Sequence, residues 1–121
     1  MTFDAVPTSF EVSVIDIEAV TIVSVRGELD VATAPALAAS IDAVLSDNPP
    51  PALIVDLTEV LFLASMGMTV LIETSRRVSE AAAFAVVADG PSTARPLTMM
   101  GLDKIFPIYP DLDAAVAALA R

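Results

Sequence analysis

The chain has 121 residues, the length of one domain, and 16 acidic against 6 basic residues give a formal net charge of −10. That charge argues against a nucleic-acid-binding protein, because binding to phosphates needs a basic patch that displaces counterions. Hydrophobic residues make up 55% of the chain, but its longest segment without a charge, 60–72, has only 13 residues, and a membrane-spanning helix needs roughly 20. The first residues lack the basic and apolar segments of a signal peptide. We expect one cytoplasmic domain over 1–121, with its core at about 10–120 and no membrane insertion.

The sequence contains no cysteine and no histidine. Their absence removes disulfides, thiol nucleophiles, Ser-His-Asp triads and the commonest ligands of transition metals. Serine, the acidic residues and a single lysine, Lys104, remain for catalysis. We therefore predict that the protein is not an enzyme and has no catalytic residue, metal site or cofactor.

Two strands followed by a helix are predicted at the start of the chain. Phe10–Asp16 begins with alternating apolar and polar residues and Val20–Arg26 is rich in β-branched residues, so the two predict a hairpin with one buried face. Gly27 is expected to end the second strand. Thr33 is expected to cap a helix, because Pro35 suits its first turn and apolar residues follow at i, i+4, i+7 and i+8 spacing.

The next segments alternate short apolar strands with a helix. Leu53–Val55 and Phe84–Ala88 predict strands that are buried on both faces, and Asp56 is expected to end the first of them. Between them, Met66–Glu80 predicts an amphipathic helix. Its outer face has charges at the i, i+4 spacing that favours ion pairs, which are Glu73–Arg77 and Arg76–Glu80.

The last third of the chain predicts two helices and one edge strand. The first helix runs from Pro91 to about Met100, where Gly101 is placed to stop it. A proline in the strand at 106–109 favours a sheet edge, and Asp111 is expected to cap the final helix. The order β-β-α-β-α-β-α-β-α predicts an α/β fold. Its sheet is mixed but mostly parallel, with about five strands and about four helices.

Two turns contain the candidate functional residues. In the first, Glu28 and Asp30 follow Gly27, and the simplest interpretation is a turn with solvated acids. In the second, Ser65 stands where a helix begins. A serine there has a sufficient structural role in capping the helix, but a helix N-terminus also favours phosphate, so Ser65 is a candidate phosphoacceptor as well.

These turns, in this element order, resemble the signatures of the STAS-domain anti-sigma factor antagonists. The first signature is matched by Arg26–Asp30 with Thr33–Pro35, and the second by Val55–Val60 with Ser65–Met68. The segment Asp103–Phe106 after Gly101 and Leu102 is similar to a later family segment. The resemblance runs from about Phe10 to the C-terminus.

The resemblance implies a STAS-like domain that works by partner switching. In the family, the antagonist binds an anti-sigma factor, a serine kinase of the GHKL ATPase type, and thereby releases a sigma factor. The kinase phosphorylates a serine of the antagonist, which breaks the complex, and a phosphatase resets it. Ser65 matches that serine, Gly67 the family's glycine and Met68 its usual leucine. The expected partner-binding residues are Gly27, Glu28, Asp30, Thr33, Ser65, Met66 and Gly67.

Two residues depart from the family pattern. Ala64 stands where an aspartate usually precedes the acceptor, and Met66 stands where a small residue is usual. Binding is expected to survive even where these departures weaken or abolish phosphorylation. Two alternatives stay open at this point: a soluble STAS subunit of a membrane transporter for lipids or anions, and a small enzyme or phosphocarrier.

Overall fold

One five-stranded sheet organises the computed structural model, which describes residues 10–46, 48–78 and 82–119. The strands are β1 (Glu11–Ile17), β2 (Val20–Leu29), β3 (Ala52–Leu63), β4 (Ala83–Val87) and β5 (Ile108–Tyr109). The helices are α1 (Ala34–Ser46), α2 (Ser65–Val78), α3 (Ala94–Met99) and α4 (Leu112–Leu119), with a 3-10 turn at Leu102–Lys104. Across the described residues, no helix has the length and apolar character that a membrane span needs.

The strands follow each other in the sheet in the order of the chain. β1 is antiparallel to β2, and the three other neighbouring pairs are parallel. Each parallel pair is joined through a helical segment, because the chain must return to the same edge of the sheet before the next strand begins. The predicted α/β fold with a mixed, mostly parallel sheet is confirmed.

The core lies on both faces of this sheet. On one face, side chains of β2 and β3 pack with α1, α2 and α3, among them the fully buried Val23, Leu37 and Leu71. On the other face, Val20 and Ile22 of β2 belong to a smaller cluster that includes α4. Alternate residues of β2 thus enter the two clusters, as the period of two in a strand requires.

β3 continues well past its predicted end, and its pairing with β2 contains two β-bulges. Ser24 pairs with Asp56 but Arg26 pairs with Glu59, so β3 has one extra residue over this stretch. A second extra residue, Leu61, lies between the partners of Gly27 and Glu28. Because each bulge interrupts the alternation, two exposed residues follow each buried one from Leu57 to Leu63. The predictions that Asp56 ends β3 and that Gly27 ends β2 are therefore wrong.

The helix termini and ion pairs agree with the sequence in part. The Asp111 carboxylate accepts the Ala114 N–H at 2.8 Å, which confirms the predicted cap of α4. Arg77, however, pairs with Asp42 of α1 at 3.0 Å instead of with Glu73, because α1 lies beside α2. Arg76 pairs with Glu73 at 3.6 Å. The pair predicted for residue 80 lies outside the described residues.

Candidate functional site

The two turns of interest lie side by side because β2 and β3 are parallel neighbours. Glu28 pairs with Phe62, and Leu29 pairs with Leu63. Directly after these pairs, the Ala64 N–H donates a hydrogen bond to the Leu29 carbonyl oxygen at 2.9 Å. Both strands end on the same side of the sheet, so the two turns that contain the predicted site residues lie next to each other.

The first turn is held together by Asp30 and Thr33. The Asp30 carboxylate accepts the N–H groups of Ala32 and Thr33 at 3.0 and 3.1 Å. The Thr33 hydroxyl donates to the Glu28 carbonyl oxygen at 2.6 Å and accepts the Asp30 N–H at 2.9 Å. Both side chains are half-buried, whereas Glu28 is exposed. The predicted Thr33 cap is wrong in its hydrogen bond, since the hydroxyl serves the turn rather than the amides of α1.

The second turn leaves the Ser65 hydroxyl free at the surface. Ser65 is the first residue of α2, and the carbonyl oxygen that accepts the Gly67 and Met68 N–H groups, at 3.0 and 3.3 Å, is that of Ala64. The Ser65 side chain is exposed and makes no hydrogen bond within the described part of the protein. The expected capping bond is therefore absent, because Ala64 occupies the capping position.

The two glycines of the site are buried, and each allows a backbone geometry that a side chain would disturb. Gly67 is buried, and a Cβ atom there would lie 2.7 Å from Cγ of Leu29 and 2.9 Å from Cδ1 of Leu63. Gly27 is also buried and has a φ of 101°, a left-handed conformation that other residues rarely adopt. The contribution of both glycines to the site is therefore to the geometry of the backbone.

Comparison with known proteins places this geometry in a family. The family model described as STAS domain matches residues 11–115. The chain belongs to the STAS domain family. The anti-sigma-F factor antagonist RsfB of Mycobacterium tuberculosis, found in two strains, is 42% identical to this STAS domain over 113 residues, which are 93% of this chain and 92% of RsfB.

Solved structures resemble this STAS domain along nearly its whole length. A crystal structure of an anti-sigma factor antagonist from Mycobacterium paratuberculosis is 46% identical, has a TM-score of 0.90, and is matched over 97% of this chain and 99% of that one. An anti-sigma-factor antagonist domain protein from Planctomyces limnophilus, 22% identical, has a TM-score of 0.78 over 91% of this chain and 98% of the other. The second likeness shows the fold alone.

Sequence reasoning missed the exposed apolar surface of the two turns and of the end of β3. Its large side chains are strongly exposed: Val31 at 70%, Leu61 at 61%, Phe62 at 53% and Met66 at 45%. Leu61 and Phe62 belong to the apolar run before Ser65, and both are exposed at the bulge of β3 at Leu61. The one available signal was the run itself, because three consecutive large apolar residues at 61–63 cannot all point inward in a strand.

The charges of the site come mainly from the first turn. Glu28 contributes an exposed carboxylate, while Asp30 is tied to backbone amides. Ala64, directly before Ser65, contributes no charge, and Met66 adds an exposed apolar side chain. Within the described ranges, no group of acidic residues is arranged to hold a metal ion. The arrangement is therefore suited to protein contact, with apolar area next to negative charge.

Proposed function

We propose that this STAS domain is a cytoplasmic anti-sigma factor antagonist that binds an anti-sigma factor serine kinase of the GHKL type and so releases a sigma factor. The observation that carries the proposal is the adjacency of the two turns, with a free Ser65 hydroxyl at the surface they share. The relatives of 42% and 46% identity are named as antagonists of anti-sigma factors, and their match over nearly the whole chain supports that role here. The protein would act as a binding module and not as an enzyme.

The predicted residues would have different roles in the proposed binding surface. Glu28, Ser65 and Met66 are exposed and would touch the partner. Asp30 and Thr33 would hold the first turn in its binding conformation through their hydrogen bonds. The buried glycines at positions 27 and 67 would let the two turns approach each other.

Phosphorylation of Ser65 would act as the switch. The Ser65 hydroxyl oxygen attacks the γ-phosphorus of ATP bound to the partner, a new oxygen–phosphorus bond forms, the serine proton is released and ADP leaves. The product adds about 1.5 to 2 negative charges beside Glu28. Because the N-terminus of α2 tolerates a phosphate, the modification disturbs the partner's surface rather than the fold of this protein. A phosphatase restores the hydroxyl by hydrolysis.

The experiment uses purified protein with purified anti-sigma-F factor, the partner class that the names of the Mycobacterium tuberculosis relatives specify. We expect a complex on size-exclusion chromatography, and one added phosphate by intact mass once ATP and Mg²⁺ are present. Ser65→Ala should bind and stay unmodified, with Thr69→Ala, an exposed hydroxyl one turn further along α2, as the matched control. A phosphate that persists in Ser65→Ala would place the acceptor elsewhere, and the absence of a complex contradicts the antagonist role.

The two other functions have less support. A transporter subunit and an enzyme or phosphocarrier are both compatible with an α/β fold, but neither is favoured by a specific contact of the described residues. Co-purification with a membrane transporter instead of an anti-sigma factor would favour the first. Turnover that is lost in both Asp30→Ala and Ser65→Ala would favour the second.

A further inference from the structure

An open, mainly apolar groove lies beside the Ser65 turn, between the carboxyl end of β3 and helix α3. Its lining includes Leu61, Phe62, Pro91, Arg95, Pro96 and Met99. Phe62 precedes Ser65 by only three residues, and it pairs in the sheet with Glu28 of the first turn. The groove is therefore continuous with the surface proposed to bind the anti-sigma factor.

The exposure of the groove's apolar side chains results from a specific backbone feature. The bulge at Leu61 turns Leu61 and Phe62 to the surface, while Val60 and Leu63 on either side are buried. Met99 of α3 faces the same groove and is 73% exposed. Bulges often redirect side chains next to functional sites, and a contiguous exposed apolar patch marks a site of interaction.

Arg95 gives the groove a positive charge on an acidic protein. The other three arginines that the structure describes each form an ion pair, namely Arg26 with Glu11, Arg76 with Glu73 and Arg77 with Asp42. Arg95 is exposed and has no carboxylate within ion-pair distance among the described residues. A guanidinium group at the side of an apolar groove is suited to bind a carboxylate through two hydrogen bonds.

We propose that this groove is the second half of the docking surface and receives from the anti-sigma factor an apolar side chain with a carboxylate beside it, which pairs with Arg95. The proposal rests on the antagonist function proposed above. The docking surface then has a negative part at Glu28 and a positive part at Arg95. A partner with a basic group and an acidic group at matching positions binds in one orientation only, because the reverse orientation opposes like charges.

The charge of the protein favours an anti-sigma factor over a second copy of the chain as the occupant. Two copies would each carry a formal charge of −10, and that repulsion opposes self-association. Sedimentation of the protein alone tests this directly, and we expect a monomer. A dimer that dissociates when Phe62 is replaced by serine would overturn the proposal, since the groove would then be an interface between copies.

The test compares groove variants with matched variants elsewhere on the surface. The groove variants are Phe62→Ser, Met99→Lys and Arg95→Glu, and each is expected to weaken the binding of purified anti-sigma-F factor by about tenfold or more in calorimetric titrations. Arg95→Lys keeps the charge but loses the second hydrogen bond of the guanidinium group, so its affinity should lie between that of Arg95→Glu and that of the wild type.

The matched controls have similar exposure but lie outside the groove. Ile15→Ser changes a 51% exposed residue of β1, and Met100→Lys changes a 66% exposed residue next to Met99. Arg76→Glu alters the net charge as Arg95→Glu does, which separates local pairing from overall charge. All three controls should bind within about twofold of the wild type, and circular dichroism should show an unchanged fold for every variant.

The outcomes distinguish the groove from the proposed function. If the wild type binds, Glu28→Lys does not, and all groove variants bind normally, the groove proposal is overturned while the antagonist function stands. If the wild type does not bind, both are overturned. If Arg76→Glu weakens binding as much as Arg95→Glu, the carboxylate pairing is overturned, because only the net charge then matters.

Discussion

Gly67 is the residue on which the joining of the two turns depends. It places the first turn of α2 directly against Leu29 at the end of β2 and Leu63 at the end of β3. Leu29 is fully buried and Leu63 nearly so, so neither side chain has room to move aside. Ser65, two residues earlier, is exposed on the same helical turn and is free of this constraint.

We expect Gly67→Ala to lower the free energy of unfolding by about 1–2 kcal/mol. Alanine gains up to about 1 kcal/mol over glycine in a helix, but overpacking a core typically costs 1–3 kcal/mol, and the clash here is with Cγ of Leu29 rather than with the end of a flexible chain. Urea denaturation measures the difference. Ser65→Ala is the control and should remain within about 0.5 kcal/mol of the wild type. A Gly67→Ala variant as stable as the wild type would show that α2 moves away at little cost.

No side chain at position 64 caps the N-terminus of helix α2. Ala64 stands at the capping position, where its carbonyl oxygen accepts two amide hydrogens but its methyl group accepts none. The antagonist signature that this sequence resembles has an aspartate at this capping position, directly before the serine that Ser65 matches. Alanine in place of aspartate therefore changes both the start of the helix and the charge next to Ser65.

We expect Ala64→Asp to raise the free energy of unfolding by about 1 kcal/mol, because an aspartate at this position accepts an amide hydrogen of the first turn. It should also increase the phosphorylation of Ser65 by the anti-sigma factor kinase, as followed by intact mass over time. Ala64→Asn is the matched control, since asparagine caps equally well without the charge. If both variants are phosphorylated faster, the cap matters; if only the aspartate variant is, the carboxylate matters. No change in either rate would contradict a role for this position.

The whole molecule has a large negative charge, and its candidate site lies at the carboxyl ends of β2 and β3. The formal charge of −10 is spread over the chain, and the exposed Glu28 lies at the proposed contact surface. A negative field of this size would guide a partner with a basic face toward the molecule before any contact forms.

We expect the association rate with the anti-sigma factor to fall about tenfold or more as salt is raised from about 50 to 500 mM, because ions screen the long-range attraction. The dissociation rate should change far less. Surface plasmon resonance gives both rates. Glu28→Gln should reduce the association rate at low salt more than Glu73→Gln, which removes the same charge from the exposed face of α2. An association rate independent of salt would show that the acidity plays no part in recognition.

Local sequence patterns determined the element order and the two turns of this protein. Apolar periodicity, prolines and turn residues act over a few positions, so the strands, the helices and the places of Glu28 and Ser65 could be predicted from the chain alone. The family signatures depend on the same local residues, and the family match agrees with them.

Only the tertiary structure decided how β3 continues past Asp56 and which of its side chains reach the surface. The bulges at 57–58 and at Leu61 are features of the pairing between β3 and β2, which brings Glu59 opposite Arg26 and Phe62 opposite Glu28. The pairing of Arg77 with Asp42 likewise depends on two helices that meet only in the fold. Strand register and helix contacts depend on residues that are far apart in the chain, so no short segment of the sequence determines them. The exposure of Phe62 and the groove beside it depend on that register and were therefore not predictable from the sequence.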